Sequence, residues 1–353
     1  MFAMKPTKAP PSGQVVKVGI VECGMVTQVV HIPTLNSFQL KVARTTKPKT
    51  TQIIDQLCNS AEVDLVLLAS NHAFHASEAI LALKANKHVS IEKPIALTLQ
   101  DTDRIIAADQ AAGSLKVFVG YMRRYIAVFI DAVKEVGSIG EIGYARARDL
   151  IGPNSIFIGQ SITFPQTFND YREEDREALH QKALQVGLDV TTTQERKTMW
   201  DYLSMLGSHD LSAMREIIGM PTGVIGFSPC ATTGSPFWSA MFQYSGFSYE
   251  SGIDQVLQFD ASIEIFGEKQ TVKVSIDTPF VKGLSTLMVV KQSLLDGSYR
   301  ESSIRRTYEY PLTLELQEVH ACRTPKRTSS GARHDLEILG MLAKAGVSQQ
   351  ECQ

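Results

Sequence analysis

Leu83–Ala108, LKANKHVSIEKPIALTLQDTDRIIAA, reads as the end of one helix, a short strand and the opening of a second helix. The strand, His88-Val89-Ser90-Ile91, runs directly into Glu92-Lys93-Pro94. In an open parallel sheet the carboxyl ends of strands are where ligands sit. A lysine there, with a proline restricting the backbone beside it, is placed to meet a substrate. Taken alone, the tripeptide reads as a strand-end ion pair followed by an ordinary turn; its neighbours change that reading.

On the carboxyl side, Thr98-Leu99-Gln100-Asp101 resembles a capping box with Asp in the Glu/Gln place, and predicts a helix to Ala112 with Gly113 as its C′ residue. Lys116–Gly120, KVFVG, is a further strand. On the amino side, Ala76, Ala79, Ile80 and Leu83 fall at i, i+3, i+4 and i+7, one apolar helical face. Before it, Val63–Ala69, VDLVLLA, is a continuous apolar strand of the kind buried on both faces of a parallel sheet. Val15–Val21, VVKVGIV, is another, followed by Gly24 and a helical stretch from about Met25 to Asn36. Alternating strands and helices with short joints predict an α/β, doubly wound, Rossmann-type domain over 15–124.

The remainder, 125–353, has a different texture. Val224–Gln292 holds strand-like runs, among them Ala261–Phe266 and Gln270–Ile276, separated by Gly and Pro. They predict a C-terminal α+β domain with a largely antiparallel open sheet. Leu211, Met214 and Ile218 share one helical face closed by Gly219 and Pro221. The polar stretch 159–200, with REEDREALHQKAL, reads as a solvated helix rather than a substrate lid.

Composition sets outer bounds. The chain has 353 residues, 44% of them hydrophobic, and a net charge of −2, so two ordinary cores fit and no basic field points to nucleic acid or an anionic membrane. The five cysteines are scattered without metal-type spacing, which fits a reducing compartment. Residues 1–14 are Pro/Lys-rich, lack the apolar core of a signal peptide and read as a disordered leader. No run is long enough to span a bilayer, and the expectation is a cytoplasmic protein.

These residues together resemble a known family. VGIVECGMVTQVVHIP (18–33), ASNHAFHASEAILALKANKHVSIEKPIALTLQD (69–101), KVFVGYMRRY (116–125), GSIGEIGYARARD (137–149) and LGSHDLSAMREIIGMP (206–221) occur in the order seen in Gfo/Idh/MocA oxidoreductases, which include glucose–fructose oxidoreductase and inositol dehydrogenases. The resemblance implies an N-terminal Rossmann domain holding NAD or NADP and a C-terminal domain whose open sheet shapes the substrate site and an oligomer interface, as a homodimer or homotetramer. It implies hydride transfer with a sugar, polyol or similar hydroxylated small molecule. Lys93 and His209 would then be catalytic, the lysine polarising the substrate oxygen and the histidine shuttling the proton. Gly24, Met25, Val26, Ser70, Asn71, His72, His75, Glu92 and Arg123 would meet the cofactor, with Arg123, Arg124 and Tyr125 shaping the cleft; by themselves the two arginines read equally as a phosphate contact or an interdomain salt bridge. The chemistry calls for such a pair: oxidation of an alcohol leaves a proton, and an imidazole titrates near working pH.

Three departures stand against it. A Rossmann turn wants Gly-x-Gly-x-x-Gly/Ala, and here the aligned residues are Glu22, Gly24 and Thr27. Glu22 brings a negative side chain to the diphosphate's place, a repulsion on the order of 1 kcal/mol unless the side chain turns away. Second, Ser37–Glu62, with LKVARTTKPKTTQIIDQLC, suits one strand and one helix where the fold needs two of each, and no ribose-binding acid follows the strand. Either Arg44 and Lys47, with Thr45 and Thr46, select NADP, or a strand–helix unit is missing through deletion or a faulty gene model; the shortage of elements favours the second. Third, Met205 stands four residues before His209, where family enzymes commonly carry an Asp. These departures motivate an alternative, a non-catalytic nucleotide-sensing regulator or degenerate pseudoenzyme. Metal-assisted hydrolysis is set aside, because no His/Asp/Glu cluster has ligand spacing in the sequence.

Overall fold

The computed structural model describes residues 16–37, 41–43, 50–113, 117–161, 164–168, 194–230, 237–244, 247–253, 259–306, 310–320 and 329–350, with 174, 177, 178, 180, 181 and 185. The first apolar runs form a five-stranded parallel sheet from β1 (Lys17–Val21), β2 (Lys41–Ala43), β3 (Leu65–Leu68), β4 (His88–Glu92) and β5 (Val117–Gly120), in the order β2-β1-β3-β4-β5. All its pairings are parallel. Every residue of β3 and β5 is buried, which explains why these strands read as continuous apolar runs without alternation. β1 has β2 on one side and β3 on the other, so the winding reverses there and opens a crevice at the carboxyl ends of β1 and β3.

The helices of this layer are α1 (Ile32–Ser37), preceded by a π-helical turn at Thr27–His31, α2 (Thr50–Asn59), α3 (His75–Lys84) and α4 (Leu99–Ala112). The capping box before α4 is formed. Thr98 Oγ1 accepts from the Asp101 N–H at 3.0 Å and donates to Asp101 Oδ2 at 3.0 Å, and Gly113 ends the helix at φ 65°. Between α1 and β3 the described chain supplies one strand and one helix, β2 and α2, as the residue count predicted. Arg44, Thr45, Thr46 and Lys47 lie outside the described residues, as do residues 1–15. The polar stretch 159–200 is described only in part.

A 3₁₀ turn, Met122–Tyr125, leads into α5 (Ala127–Gly137), β6 (Ile142–Ile151), α6 (Asn154–Gln160), α7 (Gln194–Tyr202), a π-helical turn at Leu203–Gly207 and α8 (Ser208–Ile218). The strands β7 (Val224–Cys230), β8 (Phe237–Phe242), β9 (Phe247–Ile253), β10 (Phe259–Gly267), β11 (Gln270–Ile276), β12 (Leu287–Ser293) and β13 (Tyr299–Arg305) complete an eight-stranded sheet of order β13-β12-β11-β10-β6-β9-β8-β7. Its pairings are antiparallel except that of β6 with β9. Ile263, Ile265, Val272 and Val274 pack in one core with Phe129 and Ala132 of α5 and Leu211 and Met214 of α8. Tyr144, Ile225, Met241 and Ile304 of the same sheet are exposed.

The chain then returns. In α9 (Pro311–His320), Leu316 and Val319 join Val16, Val18, Leu65 and Phe118 in the core of the first sheet. In α10 (Ser329–Gln350), Ala332 packs in the core beneath α3 and α4, while Leu336 and Leu339 pack in the core of the second sheet. A division at 124/125 therefore omits a tail that covers the first sheet and ties it to the second. Among the described residues no helix is long and apolar enough to cross a membrane.

Candidate active site

β4 delivers Glu92 and Lys93 to the carboxyl edge of the parallel sheet, and the Lys93–Pro94 peptide is cis. The Lys93 ammonium donates to the Met205 carbonyl oxygen, in the π-helical turn that runs into α8. That contact brings the lysine of the first sheet to the turn that carries His209. His209 is half-buried, and its Nδ1 has no hydrogen-bond partner among the described residues. Burial, then the Lys93 and Arg123 charges, hold its imidazole well below the usual histidine range, so the ring is neutral at neutral pH. Burial also pulls the Lys93 ammonium down, with Glu92 opposing the shift. Met205 itself is exposed and supplies a backbone oxygen where a carboxylate was looked for.

Arg123, one of the residues expected at the cofactor or in an interdomain salt bridge, forms the salt bridge. It is 2% exposed and donates to Asp210 and, at 3.3 Å, to Asp149 Oδ2. Arg124 likewise bonds Glu216 and, at 3.1 Å, Ser212 Oγ. A guanidinium surrounded by carboxylates in a dry interior has little to offer a phosphate. These pairs join the 3₁₀ turn after β5 to α8 and β6, and so hold His209 against the first sheet.

Glu92 accepts from, or is ion-paired with, the wholly buried His31 Nε2 at 2.7 Å. Burial works to raise its pKa, but His31 and Lys93 outweigh that and hold the carboxyl below its ordinary range. A second carboxyl, Glu315 of α9, also approaches Gly120. A Cβ at Gly120 would meet Glu92 Oε2 at 3.3 Å and Glu315 Oε1 at 3.4 Å, so the glycine leaves room for both. Burial, then the nearby Glu92, push the Glu315 carboxyl well above the usual range. Neither His31 nor Glu315 carried a signal in the sequence, because each is an isolated polar residue on an otherwise amphipathic helix.

The turn after β1 holds Gly24, Met25 and Val26 at the start of the first helix. Glu22 stands at φ 70°, the left-handed conformation a glycine would adopt freely. Its Oε2 accepts from the Asn71 N–H at 3.1 Å, and its Oε1 would lie 3.2 Å from a Cβ at Gly24. Thr27, in the third glycine's place, is buried and donates to the Glu22 carbonyl at 3.2 Å. The backbone of a phosphate cradle is thus present, and the Glu22 carboxyl lies folded across it. A dinucleotide's diphosphate fits the backbone and is opposed by that one side chain.

The loop after β3 is more occupied than the sequence suggested. Ser70 gives its hydroxyl to Glu78 of α3, whose carboxyl burial raises to about 7. His75 is an internal tie: it is 1% exposed, with its ring nitrogens 2.9 Å from the carbonyls of Pro94 and Ser70. It links this loop to the one that carries Lys93. Asn71 presents its amide to Glu22, as described. His72 turns toward the second domain, edge-on to the His180 ring at 5.8 Å, and His180 Nε2 lies 2.7 Å from Asp201 Oδ1. The donor atoms of His72, His180 and Asp201 all lie within 4.8 Å of one another. Sequence spacing gives no sign of this cluster, because residues 72, 180 and 201 meet only through the fold.

Residues 16–121 match the family model described as "Oxidoreductase family, NAD-binding Rossmann fold". Inositol 2-dehydrogenase of Salmonella paratyphi B is 40% identical over 87 residues, 25% of this chain and 26% of that enzyme. Inositol 2-dehydrogenase of Azotobacter vinelandii is 39% identical over 197 residues, covering 48% of this chain and 56% of the enzyme. The chain thus spans between about a quarter and just over half the length of these curated relatives. Aldose-aldose oxidoreductase of Caulobacter crescentus, solved with glycerol, superposes over 95% of this chain and 98% of its own with a TM-score of 0.66 at 17% identity, a likeness of fold. Over residues 16–121 the chain is thus similar to the Gfo/Idh/MocA oxidoreductase family.

Proposed function

We propose that the protein is a nicotinamide-dependent oxidoreductase acting on the CH–OH group of a sugar, polyol or similar small molecule. The observation that carries the reading is the Lys93–Met205 contact, which sets a desolvated lysine beside the turn leading to a neutral histidine. Both lie at the carboxyl edge of the parallel sheet, where such sheets bind ligands. The matched family model is named for NAD binding, and the relatives named above are inositol 2-dehydrogenases.

In this reading the amides of Gly24, Met25 and Val26 hold the diphosphate once Glu22 swings off the turn, and Glu92 lines the nicotinamide side. The bound nicotinamide supplies the acceptor or donor of the hydride. Lys93 donates to the substrate oxygen and stabilises the negative charge that grows on it as its proton leaves. The neutral His209 takes that proton, and returns one when the reaction runs toward the alcohol. Arg123, bound to Asp149 and Asp210, keeps the histidine in place without touching substrate. Pairing of two copies through the exposed face of the eight-stranded sheet, around Tyr144, Ile225 and Met241, belongs to the same proposal.

The test is a fluorescence titration with NADH and NADPH, followed by a panel of inositols, aldoses and alditols assayed in both directions. Turnover is expected, and Lys93→Ala or His209→Ala should lower kcat by roughly 10²–10⁴ with the fold intact. Folded protein that binds a nucleotide but turns over nothing would support the sensing alternative, which Glu22 and Met205 favour. Failure to bind either nucleotide would overturn both readings.

A further inference from the structure

We propose that His72, His180 and Asp201 form a binding site for one divalent metal ion of the zinc class, tying the loop after β3 to α7. Two imidazoles and one carboxylate are the donor set that zinc and its neighbours in the first transition row prefer. The three side chains converge from opposite sides of the molecule: His72 from the strand-end loop of the first sheet, Asp201 from α7, and His180 from the segment before it.

The geometry is that of co-ligands more than of a finished ion pair. His180 is 7% exposed, and its Nε2 faces Asp201 Oδ1 at 2.7 Å, yet neither atom has a partner in hydrogen-bond geometry among the described residues. Two ligands of one tetrahedral zinc, at bond lengths of about 2.0–2.1 Å, stand about 3.3 Å apart. The donor atoms here lie between a 2.7 Å approach and 4.8 Å, so shifts of around an ångström would seat all three on one ion. A buried imidazole without a hydrogen bond carries a desolvation cost that a divalent cation would offset. His72 and Asp201 are only half-buried, which leaves an entry path. Three protein ligands also leave a position open for water or a substrate oxygen.

This site is independent of nicotinamide binding, and metal binding is its readout. The full chain, stripped with a chelator, would be titrated with Co²⁺ by visible absorption and with Zn²⁺ by calorimetry. The expected result is one ion per chain and the intense visible bands of four-coordinate Co²⁺. His180→Ala and Asp201→Asn should each weaken binding by more than about 100-fold, beyond the roughly 10–100-fold cost of losing a group that merely supports a ligand. His72→Gln, on the half-buried loop, gives the same readout if His180→Ala fails to fold, and Asp201→Cys should restore Zn²⁺ binding. Folded wild-type protein that takes up no ion overturns the site. An ion bound with unchanged affinity by the variants overturns it as well, because that ion then sits on other donors.

Discussion

Glu22→Gly should tighten nicotinamide dinucleotide binding by roughly 30- to 150-fold, the equivalent of about 2–3 kcal/mol. Two contributions make up that figure. Glu22 lies at the surface but is partly desolvated where it folds across the turn, so water's dielectric gives the lower bound, about 1 kcal/mol per phosphate charge at roughly 4 Å and 1–2 kcal/mol for the pair. Swinging it aside also breaks the 3.1 Å bond to the Asn71 N–H, about 1 kcal/mol at an exposed position. The backbone should not object, since φ at Glu22 is 70° and glycine adopts that conformation without the Cβ penalty of roughly 1–2 kcal/mol. The assay is a fluorescence titration with reduced nicotinamide dinucleotide at fixed ionic strength, with Glu22→Gln alongside. Glutamine removes the charge and keeps the bulk, so it should recover the Coulombic part alone. pH supplies a second reading. Burial raises the Glu22 pKa, so wild-type affinity should fall as pH rises through that raised value, and the glycine variant should stay flat. If Glu22→Gly binds the nucleotide no better than the wild type does, the carboxyl is not in the phosphates' place and the reasoning fails.

Arg123→Ala leaves Asp149 and Asp210 buried without their cation, and should destabilise the fold by about 3–5 kcal/mol in urea titrations; a loss below about 1 kcal/mol would refute the salt bridge. Glu78 has its carboxyl raised from 4.5 to about 7, chiefly by burial, so the folded state holds the proton more tightly than the unfolded one. Its contribution is complete below pH 4.5 and is lost as pH rises toward 7, at most on the order of 3 kcal/mol. Glu78→Gln should therefore raise the Tm at pH 8 and leave it nearly unchanged at pH 4.5. Glu315, also raised by burial, follows the same sign, and wild-type Tm should fall further at alkaline pH while Glu315→Gln remains level. An alkaline slope that persists in Glu315→Gln would place the ionising group elsewhere.

The parallel layer was legible because its signals are local. LVLL and VFVG are apolar throughout, Thr98 and Asp101 sit three apart, and Gly113 ends the helix they open; each is read within about sixteen residues. The pairing of β6 with β9 was not, since those strands are separated by nearly a hundred residues and a parallel register leaves no turn between them to announce it. The return of α9 was equally silent: Leu316 and Val319 look like any apolar helical face, and nothing in the chain says which sheet they cover. Lys93 could be found by its place at a strand end, whereas the partners that define its surroundings could not. His75 and Arg123 show the limit from the other side. Their positions in family motifs suggest ligand contacts, while their side chains are buried and bonded within the protein.

The five-stranded sheet gives this chain a different standing among doubly wound proteins. The familiar dinucleotide order is 3-2-1-4-5-6, and subtracting its outermost strand with the adjoining helix leaves 2-1-3-4-5 after renumbering, the flavodoxin-type order. The two architectures differ here by one peripheral unit. Removing it shifts neither the reversal of winding beside β1 nor the strand end that carries Lys93. The new border is the three-residue β2, a length too small to recruit a foreign strand readily. One doubly wound order can thus pass into another by shedding material at its margin, with the crevice untouched throughout.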